Sequence, residues 1–322
     1  MPHRISRVLL AMLAAAGAPA AAQSYPVKPI RFIVPYVPGG STDTLSRAVA
    51  QKMAEGLGQT IVVENRAGAG GLIGTEAMLK LPADGYTIAL GTISTLAIIP
   101  LTQAKPSYDP QKDIAPVVLT STGPYLMVAH PSLPARTIPE FVRLARAKPG
   151  GIVYGSTGIA TGTHLTAEYF ASVAGIRMTH VPYKGDGAAV IDLLAGQIAT
   201  GFFPTIVMTQ HVKAGKLRGM AVTATARMRE LPEVPTMIES GYANFESGTW
   251  HGIIARAGTP PALLQRLNAE AARALADPAV RNTIEAQGIT IGGGPPEAFE
   301  RYIAGEIAKW KRVIAGAGLK VE

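Results

Sequence analysis

The chain has 322 residues, 48% hydrophobic and 16% charged, with a formal charge of +8 and no cysteine. This composition fills one large or two medium globular cores, two suiting the length better, and it excludes a disordered chain, disulfides, thiolate chemistry and cysteine metal sites. The basic residues are scattered, with no basic run interleaved with aromatics, which argues against a nucleic-acid partner and weakly favours small anions.

Residues 1–22 have the layout of a signal peptide: a short basic region with Arg4 and Arg7, an apolar stretch from Val8 to Ala16, and Ala20, Ala21 and Ala22 as an A-x-A cleavage site. Cleavage is expected between Ala22 and Gln23, which takes the formal charge from +8 to +6 by removing Arg4 and Arg7. The apolar stretch falls well short of the ~20 residues that a membrane-spanning helix needs. With no cysteine to carry a lipid, an exported, unanchored protein is expected.

From there strand-like and helix-like segments alternate. Strands are expected at Ile30–Tyr36, Thr60–Glu64 and Thr87–Gly91, with helices at Thr44–Gly56 and Leu72–Lys80 between them, the βαβαβ opening of a parallel sheet covered by helices. Leu45, Ala48, Val49, Met53 and Leu57 recur at three- and four-residue spacing, an apolar stripe for a core. A second α/β stretch has strands at Tyr125–Ala129, Ile152–Tyr154, Thr179–Val181 and Leu217–Val222, and helices at Ile138–Ala147, His164–Ala174 and Ala188–Leu194. Trp250–Ala255 reads as a late strand that rejoins the first sheet, and three helices follow, Leu263–Leu275, Pro278–Gln287 and Glu297–Ala315. The pattern implies a discontinuous first domain, residues 23–123 and 248–322, enclosing a second, 124–247.

Three places share one grammar: a strand ends in a proline or glycine turn, small hydroxyl residues follow, and a helix starts. They are VPYVPGGSTD (34–43), VYGSTGIATGTHL (153–165) and HVPYKGDGAAV (180–190). A helix start leaves about four N–H groups without intrahelical partners and carries roughly half a positive charge, so each place can take an anion. Each can equally be a plain cap, with Ser41, Thr42, Thr163 or Asp186 as the capping residue. Three of them, shared between the two halves, point to a common cleft. One helix end contributes ~0.3–2 kcal/mol against several kcal/mol for desolvating a carboxylate, so several loops must act together. Thr92, Ser94 and Thr95 add hydroxyls after the third strand, at the end where ligands bind in open α/β sheets.

Other chemistries find little support. In ENRAGAGGLIG (64–74) the glycines fall at 68, 70, 71 and 74, which is not G-x-G-x-x-G, and no Walker lysine follows; a tight turn against neighbouring loops is the better reading. His164 and His180 lie near the loops but belong to no G-x-S-x-G elbow, H-E-x-x-H zinc helix or carboxylate pair. A hydrolase built on Ser41, His164 and Asp43 requires that the fold bring them together by accident. Neither a metal nor a cofactor is expected. Trp250, His251, Phe202 and Phe203 read first as core or hinge residues, with pocket lining as the second possibility.

The blocks YPVKPIRFIVPYVPGGSTD, VVENRAGAGGLIG, ADGYTIALGT, YGSTGIATGTHLTAEYF, VPYKGDGAAVIDLLAGQ, HVKAGKLRGMAVT, LPEVPTMIESGY and RAGTPPALLQRLNAE occur in this order over nearly the whole mature chain. In this the sequence resembles the periplasmic solute-binding receptors of tripartite tricarboxylate transporters, the Bug receptors. The resemblance implies the type II periplasmic-binding-protein fold: two α/β domains, each a mostly parallel sheet flanked by helices, joined by two crossing strands and closing like a flytrap. It implies a periplasmic monomer that binds a small carboxylate and partners integral membrane transporter subunits, with a sensing co-receptor for a membrane histidine kinase as the alternative and a hydrolase behind both. It also implies a ligand site made of Tyr36, Pro38, Gly39, Gly40, Ser41, Thr42 and Asp43 from one domain with Thr92 and Ser94, and of Ser156, Thr157, Gly158, Thr161, Thr163, His164, Tyr183 and Lys184 from the other. Where relatives commonly carry a polar pair after the strand that follows LLAGQ, this chain has Phe203-Pro204. Phe203 is therefore expected in the cleft wall, and an aromatic or alkyl body behind the ligand's carboxylate.

Overall fold

The computed structural model describes residues 25–285 and 289–317. The expected signal peptide, its cleavage site and the end of the helix expected at Pro278–Gln287 lie outside those residues. Strand β1 (Ile30–Val34) pairs in parallel with both β2 (Ile61–Asn65) and β3 (Thr87–Thr92). Four of its five residues are buried, as a parallel strand covered on both faces requires. Helix α1 (Ser41–Leu57) connects β1 to β2 and lays Leu45, Val49, Met53 and Leu57 into a core with Ile30 and Phe32. Gly58 ends it in the left-handed region, φ 65°, with its N–H on the carbonyl of Ala54. Helix α2 (Leu72–Leu79) leads into β3, and a π-helical turn, Ser94–Ile98, continues into the short helix α3 (Ile99–Thr102).

Strand β4 (Ile114–Ala129) is 16 residues long and belongs to both halves of the molecule. Its last five residues pair with β7 (Thr200–Pro204) on one side, and part of that stretch pairs with β8 (Arg218–Val222) on the other; β5 (Val153–Ser156) and β6 (Thr179–Pro182) extend the β7 side in parallel. Helices α4 (Ile138–Ala147), α5 (Gly162–Ala174), α6 (Asp186–Leu194) and α7 (Thr205–Lys213) flank this half. Helix α4 is capped by the Thr137 hydroxyl, which accepts from the Glu140 N–H, and Ile138, Phe141, Val142 and Ala145 form its buried stripe. The chain then returns through β9 (Gly248–Arg256), inserted antiparallel between β3 and β4. Helix α8 (Pro261–Ala276), α9 (Pro278–Glu285), β10 (Thr290–Gly293), which pairs with β4, and α10 (Pro296–Ala317) complete the first half.

The strand order is β2-β1-β3-β9-β4-β7-β5-β6, with β8 and β10 branching from β4. Two lobes result, each with its own apolar clusters, one around Phe32, Ile88 and Leu267 and the other around Phe141, Phe170 and Phe202. The α/β class and the late return of the 250s strand match the expectation. The sheet, however, is mixed, because everything around β4 and β9 is antiparallel. The first two thirds of β4 escaped the sequence reading because Pro116 and Gly123-Pro124 look like strand breakers. Pro116 sits beside a register shift, and Pro124 pairs with Gly248 where the chain changes lobes.

That crossing is held tightly. The Trp250 indole N–H donates to Glu306 of α10 at 3.0 Å, and its ring meets Phe299 and Tyr302 edge-on. The hydroxyls of Thr166 and Ser247 bond at 2.6 Å, and the Thr223 hydroxyl donates to the Ser247 carbonyl. A Cβ on Gly248 would stand 2.4 Å from the Gly123 carbonyl oxygen, an obstacle of backbone rather than of movable side chain. Gly248→Ala is expected to cost about 1–3 kcal/mol of stability, the range for overpacking a close-packed site. Urea unfolding measures it, and an unchanged midpoint would show that the crossing is looser than this geometry.

Candidate functional site

The three strand-to-helix turns meet between the lobes. Gly40 before α1, Gly162 at the start of α5 and Gly185 before α6 all wall one cavity of about 60 Å³, several times the ~10–15 Å³ that one water needs. Gly40 and Gly185 are N-caps without a side chain, so no capping group of their own competes for the first-turn N–H groups of α1 and α6. Helix α5 is capped instead by Thr161, whose side chain accepts from the His164 N–H.

Tyr36, Thr42, Thr92, Ser94, Tyr125, Thr157, Thr163 and Thr249 bring hydroxyls to the cavity. Among the described residues no lysine or arginine lines it. Tyr36 bonds the Thr92 hydroxyl at 3.0 Å, and burial pushes its phenol up, offset in part by bonds with Thr92 and Ser94, so it stays a neutral donor. The threonines of the second lobe have one consistent proton assignment. The Thr161 O–H donates to the Gly158 carbonyl at 2.7 Å and accepts from Thr163 at 3.0 Å; Thr163 in turn accepts the Thr157 N–H at 2.9 Å. The Thr157 O–H then donates to Thr163 at 2.9 Å, and it is the one hydroxyl of this set that can exchange its partner for a guest without breaking the rest of the chain.

The lobes touch around this space. The Gly162 N–H reaches the Ser94 hydroxyl across it at 3.4 Å, and a Cβ on Gly40 would lie 3.2 Å from an Asp186 oxygen. Larger residues at these positions would hold the lobes apart.

Several expected ligand residues shape the site without walling it. The Asp43 carboxylate accepts the Gly39 N–H (3.0 Å), the Arg47 guanidinium (3.0 Å) and the Asn65 amide (2.9 Å), while Asn65 also donates to the Tyr36 carbonyl. Burial alone would raise its pKa, but the bonds from Arg47, Gly39 and Asn65 hold it below the ordinary carboxylate range. Asp43 thus braces the turn through Pro38 and Gly39, two exposed residues that do not wall the cavity. Ser41 opens α1, and its side chain lies outside what the structure describes.

Ser156 and His164 are likewise supports. The Ser156 hydroxyl contacts His180 Nε2 at 2.6 Å, His164 Nδ1 accepts the Ala160 N–H at 3.2 Å, and the two imidazoles stack 4.0 Å apart beside Tyr154. Asp43 is bonded to Gly39, Arg47 and Asn65, and His164 accepts the Ala160 N–H and stacks on the His180 ring, so the two are not paired as a triad would require. Gly158, Tyr183 and Lys184 line an adjoining chamber instead of the cavity itself.

Phe203 is the clear correction. It is fully buried, pairs with Leu126 across β7 and β4, and packs with Val128, Leu193 and Met208. Successive strand residues face opposite ways, and it is Pro204 that lines the cavity. Gly162 and Gly185 belong to the loops expected to face the cleft, and both wall the cavity; sequence reasoning missed Val37, Ile93, Tyr125, Asp186 and Thr249 as walls, and gave His251 only as a second possibility. Tyr125 and Thr249 depend on how β4 and β9 cross. Among the described residues no group of three or more His, Asp or Glu could hold a metal ion, and no helix is long and apolar enough to cross a membrane.

The family described as the tripartite tricarboxylate transporter family receptor matches residues 45–319. BugT of Bordetella pertussis is 36% identical over 323 residues, covering 99% of each chain. Two solved structures are similar over nearly their whole length. Rpa4515 of R. palustris with adipate has a TM-score of 0.87 and 32% identity, covering 92% of this chain and 99% of that one. MatC (Rpa3494) from Rhodopseudomonas palustris with bound malate has a TM-score of 0.86 and 28% identity, covering 90% and 100%.

The stacked imidazoles make stability depend on pH. Burial, aided by the neighbouring His180, lowers the pKa of His164 to about 3; burial lowers those of His180 and His251 to about 4. An unfolded chain titrates these groups near 6.5. Stability is therefore whole above pH 6.5 and falls as pH is lowered toward 4, because the unfolded chain binds more protons in that window. Each histidine contributes at most about 1.4 kcal/mol per pH unit, less for the partly exposed His164 and His180. Urea unfolding between pH 7 and 5 is expected to show this slope, and His164→Gln with His180→Gln to flatten it. An identical slope in the double variant would refute the assignment.

Proposed function

Since the chain belongs to the tripartite tricarboxylate transporter receptor family, we propose that it is a periplasmic solute-binding protein that captures a small organic carboxylate between its lobes and delivers it, unchanged, to membrane transporter subunits. The observation that carries this reading is the convergence of three helix starts and eight hydroxyl side chains on one cavity that, among the described residues, neither lysine nor arginine lines. A carboxylate is an acceptor only, with two oxygens and about four lone-pair directions. Each charge-assisted hydrogen bond contributes ~1.5–3 kcal/mol, so two to four of them offset the several kcal/mol lost when the ion leaves water. Fixed neutral dipoles suffice.

The ligand contacts fall to Gly40, Thr42, Ser41, Thr92 and Ser94 from one domain and to Thr157, Thr163 and the amides near Gly185 from the other. The domains run over residues 23–123 with 248–322, and over 124–247. Closure is a rotation about the crossings at Gly123-Pro124 and Ser247-Gly248, and a ligand that touches both lobes favours the closed state by its extra contacts there. The leader at residues 1–22 and the family's role beside a transporter support the periplasm. Adipate in Rpa4515 and malate in MatC support an organic acid as the cargo.

A thermal-shift screen of organic acids tests the reading, with each acid set against its primary amide. A ligand at about 100 times its Kd adds ~2.7 kcal/mol, which is expected to raise Tm by several degrees for at least one acid and not for its amide. Thr157→Val should weaken that acid about ten-fold or more by removing one hydrogen bond to the charged group. If amides stabilise as well as acids, or if Thr157→Val binds like the parent, the carboxylate site is not here.

A further inference from the structure

Past Tyr36, Val37, Thr157 and Gly185 the cavity continues into a second chamber of about 550 Å³, far larger than the first and sharing those four residues with it. Its remaining walls are the glycine-rich turn at Ala67–Gly71 from the first lobe and the Gly158-Ile159 and Pro182–Gly185 segments from the second. The chemistry of the two spaces differs. Where the first is ringed by hydroxyls, the second presents Val37, Ala67, Ala69, Ile159 and Pro182, and its two phenols are already committed: Tyr183 donates to Asp192 at 2.7 Å and Tyr36 is bonded to Thr92. Lys184 is the sole cation in its walls among the described residues, and it sits exposed at the rim.

Two further observations set this chamber apart from an incidental gap. Ile159 is 49% and Val37 38% exposed, on opposite lobes of one cleft, so each leaves apolar surface toward a shared space. Ala69 (φ 47°) and Ala160 (φ 56°) hold the left-handed region that disfavours a Cβ, one in the chamber wall and one beside Ile159. Strain of this kind persists where the surrounding structure fixes it, and it collects at ligand clamps.

We propose that this chamber selects the ligand's body: the protein takes organic acids whose carboxylate sits in the hydroxyl-lined cavity and whose apolar chain or ring extends at least about four carbons into the space between Val37, Ala69 and Ile159. The inference rests on the carboxylate reading of the first cavity. A compact hydroxy acid would leave water against apolar walls, whereas each buried methylene there strengthens binding roughly two- to four-fold. Lys184 adds little by comparison, because an exposed ion pair is screened by solvent. The apolar-bodied ligand that Phe203 was expected to select is thus selected by other residues, on another wall.

The test is calorimetry of the parent protein with straight-chain monocarboxylates from propanoate to octanoate. Affinity is expected to rise two- to four-fold per methylene until the chamber fills. Ile159→Ser, a change at a half-exposed loop position that leaves the fold intact, should weaken octanoate five-fold or more while moving propanoate less than two-fold. Affinity independent of chain length, or greatest for the shortest acid, overturns the chamber's role and leaves the carboxylate site standing. If no acid of any length binds, the carboxylate reading falls and the inference with it.

Discussion

An anion that leaves water loses several kcal/mol of hydration, and in this molecule the means of replacing it are backbone amides at helix starts and fixed hydroxyls. Everything near the cleft follows from the need to hold such weak donors in place. A lysine could follow a misplaced carboxylate; a helix terminus cannot, so its position must come from the fold. The parallel strands β1, β5 and β6 deliver α1, α5 and α6 to one point, and the glycines at their starts let the backbone come close.

Rigidity is supplied from behind. Asp43, Arg47 and Asn65 tie the first loop to the end of β2 and to the Tyr36 carbonyl. The stacked His164 and His180 do the same for the second loop, and burial keeps both neutral at ordinary pH. These side chains lie close to the site without entering it, so apart from Asp186, a carboxylate in its wall, the cavity keeps a field made of dipoles. Trp250 and Glu306 then fix the crossing about which the two sets of donors are brought together.

Much of this was legible in the letters, and for identifiable reasons. The strand, glycine turn and helix pattern predicted all three loops, and the apolar stripe of α1 predicted its helix. Glycine-rich Ala67–Gly71 was read as a turn against neighbouring loops, and Gly70 does lie against the Ile159 carbonyl, 3.1 Å from where its Cβ would be. What escaped depends on register and on distant contacts. Phe203 and Pro204 are neighbours, yet the pleat sends one into the core and leaves the other in the cavity wall. Asp43 and His164 are polar residues in the right loops, and only the positions of Asn65 and His180, far off in sequence, show that they act as braces. The long β4 hid behind two prolines that its bulge and its crossing accommodate.

The central claim is that neutral donors from both lobes hold the carboxylate. A crystal structure of the protein with hexanoate tests it most directly. Both carboxylate oxygens are expected in the cavity, hydrogen-bonded to the Thr157 hydroxyl from one lobe and to first-turn amides of α1 from the other, with no lysine or arginine nitrogen within ~4 Å, the ion-pair distance. A carboxylate seated on Lys184 at the rim, or bound outside the cleft, would contradict it.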